Sequence, residues 1–221
     1  MKKIFLSILL IAAISPVFAQ TVKFGISGGL NESILSIQNN PSNNNSSRLA
    51  GFNAGIFSDI DFGKISIEPG LFYTTKGKNN ISSATDAISG AIFYSKSQVT
   101  YSYLQLPVNV LYNIHVGAGK FFVGGGPYLA YGLSGKGKGT TTVTQNGATT
   151  TNDENYTLTF GSTDNDVKRF DFGLGALGGF QLNNGVSINV GYQRGLTNIE
   201  NTSTNTVKNN VITVSLGYAF L

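Results

Sequence analysis

Apolar and small polar residues alternate along most of this chain with a period of two. That is the period of a strand, whose successive side chains point to opposite faces. The last stretch shows it best: Ile212, Val214, Leu216, Tyr218 and Phe220 share one face, and Thr213, Ser215, Gly217 and Ala219 the other. Residues 22–30, 49–58, 65–75, 99–112, 121–133, 169–181 and 186–195 read the same way. Phe52, Ala54 and Ile56 oppose Gly51, Asn53 and Gly55; Leu104, Leu106, Val108 and Val110 oppose Tyr103, Gln105 and Asn109; Phe170, Phe172 and Leu174 oppose Asp171, Gly173 and Gly175.

The connections alternate in length. Residues 31–48, 76–98, 134–168 and 197–209 are long and polar, and the first contains the run NNPSNNNSS. The Ile-Ser and Ala-Ile pieces within 76–98 suit extensions of the flanking strands. Between them lie short turns: DIDFGK at 59–64, a turn around His115 and Gly117, and Leu-Asn-Asn-Gly at 182–185, a strong hairpin signal. A chain whose final strand ends in aromatics needs a partner for each backbone edge, and a closed barrel supplies both. The pattern predicts an all-β fold: an eight-stranded antiparallel up-and-down transmembrane β-barrel whose last strand closes on the first.

Composition supports a membrane solution. Only 12% of residues are charged, about half the share of a soluble domain. A soluble, lipocalin-like carrier would turn the apolar face inward and show a surface about a quarter to a third charged. Here the second face is Gly, Ser, Asn and Gln, which suits a narrow interior. Aromatics near strand ends on the apolar face (Tyr73, Tyr112, Phe121, Tyr131, Phe170, Phe180, Tyr192, Tyr218, Phe220) are placed as interfacial girdles.

Residues 1–19 read as a cleaved export signal, with Lys2 and Lys3 before an apolar core and Val17-Phe18-Ala19 at the cleavage site; residues 20–221 are then one barrel domain. The apolar core is shorter than the roughly 20 residues a membrane helix needs. Loss of Lys2 and Lys3 leaves 15 less 2 basic residues against 11 acidic, a net charge of +2. The basic residues do not cluster in sequence, so a nucleic-acid partner is not expected. The chain has no cysteine, which excludes a lipid-modified N-terminus and disulfides. The expected location is the outer membrane of a Gram-negative-type envelope, long loops outside and short turns in the periplasm.

Several stretches carry a resemblance: FGISGGLN, GFNAGIF, IEPGLFYTTKG, YLQLPVNVLY, FFVGGGPYLAYG, RFDFGLGALGGF and the closing GYAF. Together they resemble the outer-membrane β-barrel domain of the PorT, or porin-family, group, an OmpA/OmpX-like eight-stranded barrel. Pro69, Pro107 and Pro127 match its recurrent prolines. Proline cannot donate to a sheet ladder, so a bulge or local break is expected at each. The group's eponymous member is linked to a protein-secretion apparatus, so the resemblance implies an assembly or secretion partner.

Catalytic chemistry is sparse. His115 is the only histidine and falls in a turn, without a base–nucleophile pairing. GKGKGT at 135–140 lacks the spacing of a phosphate loop. Asp153-Glu154 and Asp164-Asn165-Asp166 give an incomplete calcium-ligand pattern. Neither cofactor nor metal is expected, and the protein reads as a non-enzyme. Gly124, Gly125 and Gly126 make room inside the barrel.

The inward face predicts a polar network of Lys23, Asn53, Glu68, Gln105, Asn109, Asp171, Asn189 and Gln193, because a buried charge must be paired or hydrogen-bonded. Such a network either plugs the lumen or forms a gate or proton path. The functional expectation is a monomeric barrel, surrounded by outer-membrane lipid, that binds at the surface or docks a protein partner through its loops or periplasmic turns. A narrow small-solute pore and the soluble carrier are the alternatives.

Overall fold

The structure is a computed structural model that describes residues 21–38, 46–163, 166–201 and 206–220. The export segment, most of the Asn/Ser run and Asp164 and Asn165 lie outside the described residues. The strands are β1 (Thr21–Gln38), β2 (Ser46–Ser47), β3 (Leu49–Asp61), β4 (Ile65–Thr85), β5 (Ile92–Val116), β6 (Gly119–Gln145), β7 (Ala148–Leu158), β8 (Phe170–Leu182), β9 (Val186–Gly195) and β10 (Thr206–Ala219).

Eight of them close a ring in the order β4-β3-β1-β10-β9-β8-β6-β5, with β5 returning to β4, and every pairing is antiparallel. The last strand closes on the first, with Gly25 opposite Ala219 and Leu30 opposite Val214. No edge remains in the wall. The short strands β2 and β7 lie outside it, on β4 and β6.

The two faces fall as the alternation predicts. Leu30 (73% exposed), Phe24 (65%) and Leu216 (63%) point out, whereas Tyr103 (0%) and Gln105 (4%) point in. This excludes the lipocalin-like arrangement, whose apolar face would line the interior. Two aromatic girdles flank the apolar band. One carries Tyr131 edge-on to Phe170 at 5.4 Å and Phe52 beside Tyr73 at 5.6 Å; the other pairs Phe121 with Phe180 at 4.6 Å and Tyr218 with Phe220 at 5.5 Å.

The prolines interrupt hydrogen bonding without shifting register. Pro69 stays paired with Val108, Pro107 with Tyr128 and Pro127 with Leu174, and each loses its partner on the other side. The ladder therefore breaks locally where the N–H is missing, and the expected bulges do not form there. A register shift sits instead at Ser102/Tyr103, where Leu133 is the extra residue on β6.

Three polar connections prove to be largely strand. β4, β5 and β6 run to 21, 25 and 27 residues, well beyond the roughly 9–11 that cross a bilayer. Ile81 pairs with Lys96 and Thr85 with Ile92 in the segment expected as a loop over 76–98. β6 continues through 145 and turns at Asn146 (φ 51°) and Gly147 (φ 77°) into β7, within the loop expected over 134–168. Both residues adopt the positive φ that a two-residue Asn-Gly hairpin turn requires. β1 likewise continues to 38, and β10 begins at 206. The result is a four-stranded blade, β4-β5-β6-β7, standing beyond the girdle of Tyr131, Phe170, Phe52 and Tyr73, at the end of the long connections, hereafter the outer end. At the opposite end the connections are short, and His115 belongs to β5, paired with Lys120, rather than to a turn.

Candidate functional site

Three layers fill the barrel from its outer mouth inward. The outermost is a lid made jointly by strand residues and loop residues. Tyr101, Tyr103, Tyr128 and Ala130 from β5 and β6 and Leu35 and Val207 from β1 and β10 surround Phe160, Val167 and Ile199 from the long connections. Phe160 packs edge-on against Tyr101 (6.0 Å) and Tyr103 (5.9 Å). Two loops are tied together over this cluster. The Asn201 amide donates to the carbonyls of Gly161, Thr163 and Asp166, and Lys168 N–H donates to Ile199 O at 2.8 Å. The Thr163 hydroxyl and N–H donate to the Asp166 carboxylate and hold it below the usual carboxylate pKa.

Beneath the lid lies an ion pair without solvent exposure. Lys76 Nζ is 3.3 Å from Asp171 Oδ2, both side chains at 0%. Asp171 also accepts from Asn209 Nδ2 at 2.9 Å and Tyr128 Oη at 3.3 Å, and Thr197 Oγ1 lies 3.1 Å from its other oxygen. The Lys76 ammonium sits 4.3 Å from the Tyr128 ring centroid and 5.4 Å from that of Tyr103. Both oxygens of the buried carboxylate are thus contacted by donors, as a buried pair requires. Glycine makes this packing fit, since a Cβ on Gly173 would overlap the Tyr128 ring and one on Gly132 the Phe160 ring.

The middle layer is a polar cavity of ≈ 120 Å³. Of the residues expected to form a lumen network, Asn53, Glu68, Gln105, Asn109, Asn189 and Gln193 line it. Gln105 Nε2 donates to Gln193 Oε1 at 3.2 Å, and Asn53 Nδ2 donates to Asn31 Oδ1 at 2.8 Å. Asn31 in turn donates to Thr74 Oγ1 at 2.8 Å. Glu68 faces Asn109 across the β4–β5 pairing. Such a space is large and polar enough for several hydrogen-bonded waters.

The inner layer carries a second ion cluster: Lys120 Nζ donates to Asp59 Oδ2 at 2.7 Å and lies 3.4 Å from Asp61 Oδ2. Lys23 lies below it, lining a recess at the inner mouth with Asp61, His115, Lys120 and Asn183. The eight sequence-designated residues therefore divide among three levels: Asp171 above, six around the cavity, Lys23 at the mouth. Lys76, the partner of Asp171, was not among them because it begins the segment read as loop. Its signal was its phase, since Ser66, Glu68, Thr74 and Lys76 share one parity on β4. Triple-glycine clearance also needs correction at all three positions: a Cβ on Gly124 or Gly126 would meet the β5 carbonyls of Val110 or Val108, and one on Gly125 the β8 carbonyl of Gly175, not a lumen side chain.

Among the described residues, no three His, Cys, Asp or Glu side chains gather as metal ligands. The outer β4–β5 tip is held by Asp86, whose carboxylate takes the Ser89 N–H at 2.7 Å and the Ser89 hydroxyl at 2.9 Å; these bonds hold its pKa below the usual value.

The profile of the outer membrane protein beta-barrel domain matches residues 18–201. No curated protein matches the sequence. Among solved structures, the chain is similar to Ail, the attachment invasion locus protein of Yersinia pestis, at 14% identity over 90% of this chain and 98% of that one, with a TM-score of 0.39. It is also similar to Ail in complex with the heparin analogue sucrose octasulfate (14% identity, 90% and 99% covered, TM-score 0.38). Neisserial surface protein A is similar at 14% identity, with 90% and 99% covered and a TM-score of 0.37.

Proposed function

Because this chain belongs to the outer membrane protein beta-barrel domain family and so is an outer-membrane barrel, we propose that it works as a closed, non-enzymatic scaffold. Its task is to hold the blade β4-β5-β6-β7 at the cell surface for binding or for docking an assembly partner. The observation that carries this reading is the lid. Lys76, Asp171, Tyr103 and Tyr128 lie across the outer lumen, with Phe160 and Ile199 packed above them. Eight strands enclose just enough space for side chains to fill, whereas open aqueous channels use about 16 to 18. The kinship with the PorT group suggested by the Gly, Pro and aromatic motifs favours a protein partner within the same reading.

The blade is well suited to presentation. β7 is exposed along nearly its whole length and consists mostly of Thr and Asn, with Asp153 and Glu154 its charged residues. Thr140 donates to Asp153 at 2.7 Å, and Thr142–Thr151 and Thr144–Thr149 pair across the hairpin, so the shape survives outside the membrane.

The test is conductance. Refolded protein in a planar bilayer is expected to give no steady open-channel current and to exclude sugars in liposome swelling. The polar cavity supports the rival pore reading, which predicts reproducible single-channel steps that change with Glu68→Gln. Such steps from the intact protein would defeat the scaffold.

A further inference from the structure

Toward the inner end of the polar cavity, both charge and hydrogen bonding are left unbalanced. Asp59 of β3, Glu68 of β4, Asn109 and Asn113 of β5 and Lys120 of β6 line it there. β3 and β4 pair Phe57 with Gly70 and Ile60 with Ile67, so the same register sets Asp59 opposite Glu68. Two carboxylates opposed on one face of a strand pair repel each other. Glu68 takes a hydrogen bond from Asn109 on the next strand and lies close enough for the Asp59 and Lys120 charges to act on it. Among the described residues, the cation within ion-pair distance of these acids is Lys120. Its Nζ is already shared between Asp59 Oδ2 at 2.7 Å and Asp61 Oδ2 at 3.4 Å. Three carboxylates thus face one ammonium, and Lys23 lines the mouth recess rather than the cavity.

The shortage of donors falls in the same place. Asp59 (4% exposed) and Asn113 (2%) each keep one side-chain oxygen, Oδ1, buried and out of reach of any donor among the described residues. Asn113 spends its amide on Ser66 Oγ at 3.2 Å, which holds it against β4, the strand that carries Glu68. Both orphan atoms are acceptors, so an anion is excluded. Water would satisfy them but would leave the excess negative charge buried, which is costly without a counter-charge. A metal cation answers both needs.

We infer that the inner part of the cavity binds one hard metal cation, through Asp59 Oδ1, the Glu68 carboxylate and Asn113 Oδ1, with water completing its shell. The donors are carboxylate and amide oxygens, the set that calcium and magnesium take. The softer metals prefer sulfur or imidazole, and His115 lies in the mouth recess instead. Lys120 and Gln181 border both the recess and the cavity, so the cation enters from the inner mouth while the lid closes the lumen above. Once bound, it ties β3 to β4 where Pro69 interrupts their ladder, turning a repulsive pair of side chains into a cross-link. This inference goes beyond the scaffold reading and does not depend on it, since it concerns equilibrium binding in the lumen and neither conductance nor the blade.

The test is a urea titration of the refolded full-length barrel in phosphatidylcholine vesicles. Calcium, magnesium and sodium chloride are each compared with choline chloride at equal ionic strength. A cation bound by the folded barrel alone raises the unfolding midpoint with the logarithm of its concentration. Calcium is expected to do so most strongly, because its shell tolerates irregular geometry. Glu68→Gln and Asn113→Ala should each weaken the apparent calcium affinity about 10-fold or more. The exposed pair Asp153→Asn/Glu154→Gln in β7 should leave it unchanged, which separates the lumen site from surface acids. Should Glu68→Gln fold poorly, Asn113→Ala, which alters no charge, carries the test. No cation-specific rise in wild type, or the same rise in both lumen variants, would overturn the inference. A midpoint that follows pH and ignores all three metals would overturn it too, and would assign the place to a proton.

Discussion

Lys76→Met is expected to destabilise the barrel by about 3–5 kcal/mol, the usual cost of removing one member of a buried ion pair. The loss comes mainly from what stays behind. Asp171 would be left without its cation at 0% exposure, with Asn209, Tyr128 and Thr197 as its remaining partners. Neutralising the survivor tests that explanation. Lys76→Met/Asp171→Asn keeps acceptor capacity for Asn209 and Tyr128 while removing the stranded charge, and should recover about half the loss or more. Urea titrations of folding into lipid vesicles give both values. A Lys76→Met variant as stable as wild type would mean that the pair does not hold the outer lumen together.

The second large effect is expected at Leu106. Its side chain points out of β5, paired with Leu129 and flanked by Leu104 and Val108 in the middle of the apolar band. Leu106→Arg should therefore cost about 2–4 kcal/mol, as arginine does on the lipid face near the bilayer midplane. Its neighbour Gln105 points inward, where it bonds to Gln193 and borders the cavity that also holds Glu68. Gln105→Arg should cost less than half as much in the same titration, because the added charge meets polar groups. The opposite ranking would exchange the two faces.

These two sites also mark what the sequence could and could not convey. Leu106 and Gln105 differ by one position, and period-two alternation assigned each to its face, across Pro107 as well. That information is local: within the membrane, one face meets hydrocarbon and the other a narrow polar interior, so the contrast is written into every strand. Past the outer girdle both faces meet water and the contrast vanishes. The outer halves of β4, β5 and β6 therefore read as loops, although Asn146-Gly147 between threonine-rich flanks was a usable hairpin signal.

The lumen was legible residue by residue but not as a set of contacts. Asp171 could be placed inside, yet its partner Lys76 lies 95 residues away, and only barrel closure brings them together. The lid was harder still. Phe160 and Ile199 stand out as isolated apolar residues in polar connections, which indicates burial somewhere without saying against what. Tyr103 and Tyr128 fall on the inward face by strand parity alone, but only the closed barrel and its extended strands gather them with Tyr101 around Phe160 and Ile199.

The claim beneath all others is that the barrel crosses the membrane with its long connections outside. The chain has no cysteine of its own, so single introduced cysteines report position cleanly. Ser47, in the strand pair that leans on β4, and Asn183, in the tight β8–β9 turn, are both exposed and lie at opposite ends. On intact cells, a membrane-impermeant maleimide should label Ser47→Cys and leave Asn183→Cys unlabelled until the outer membrane is permeabilised. Labelling of Asn183→Cys with Ser47→Cys protected, or equal labelling of both on intact cells, would contradict the account.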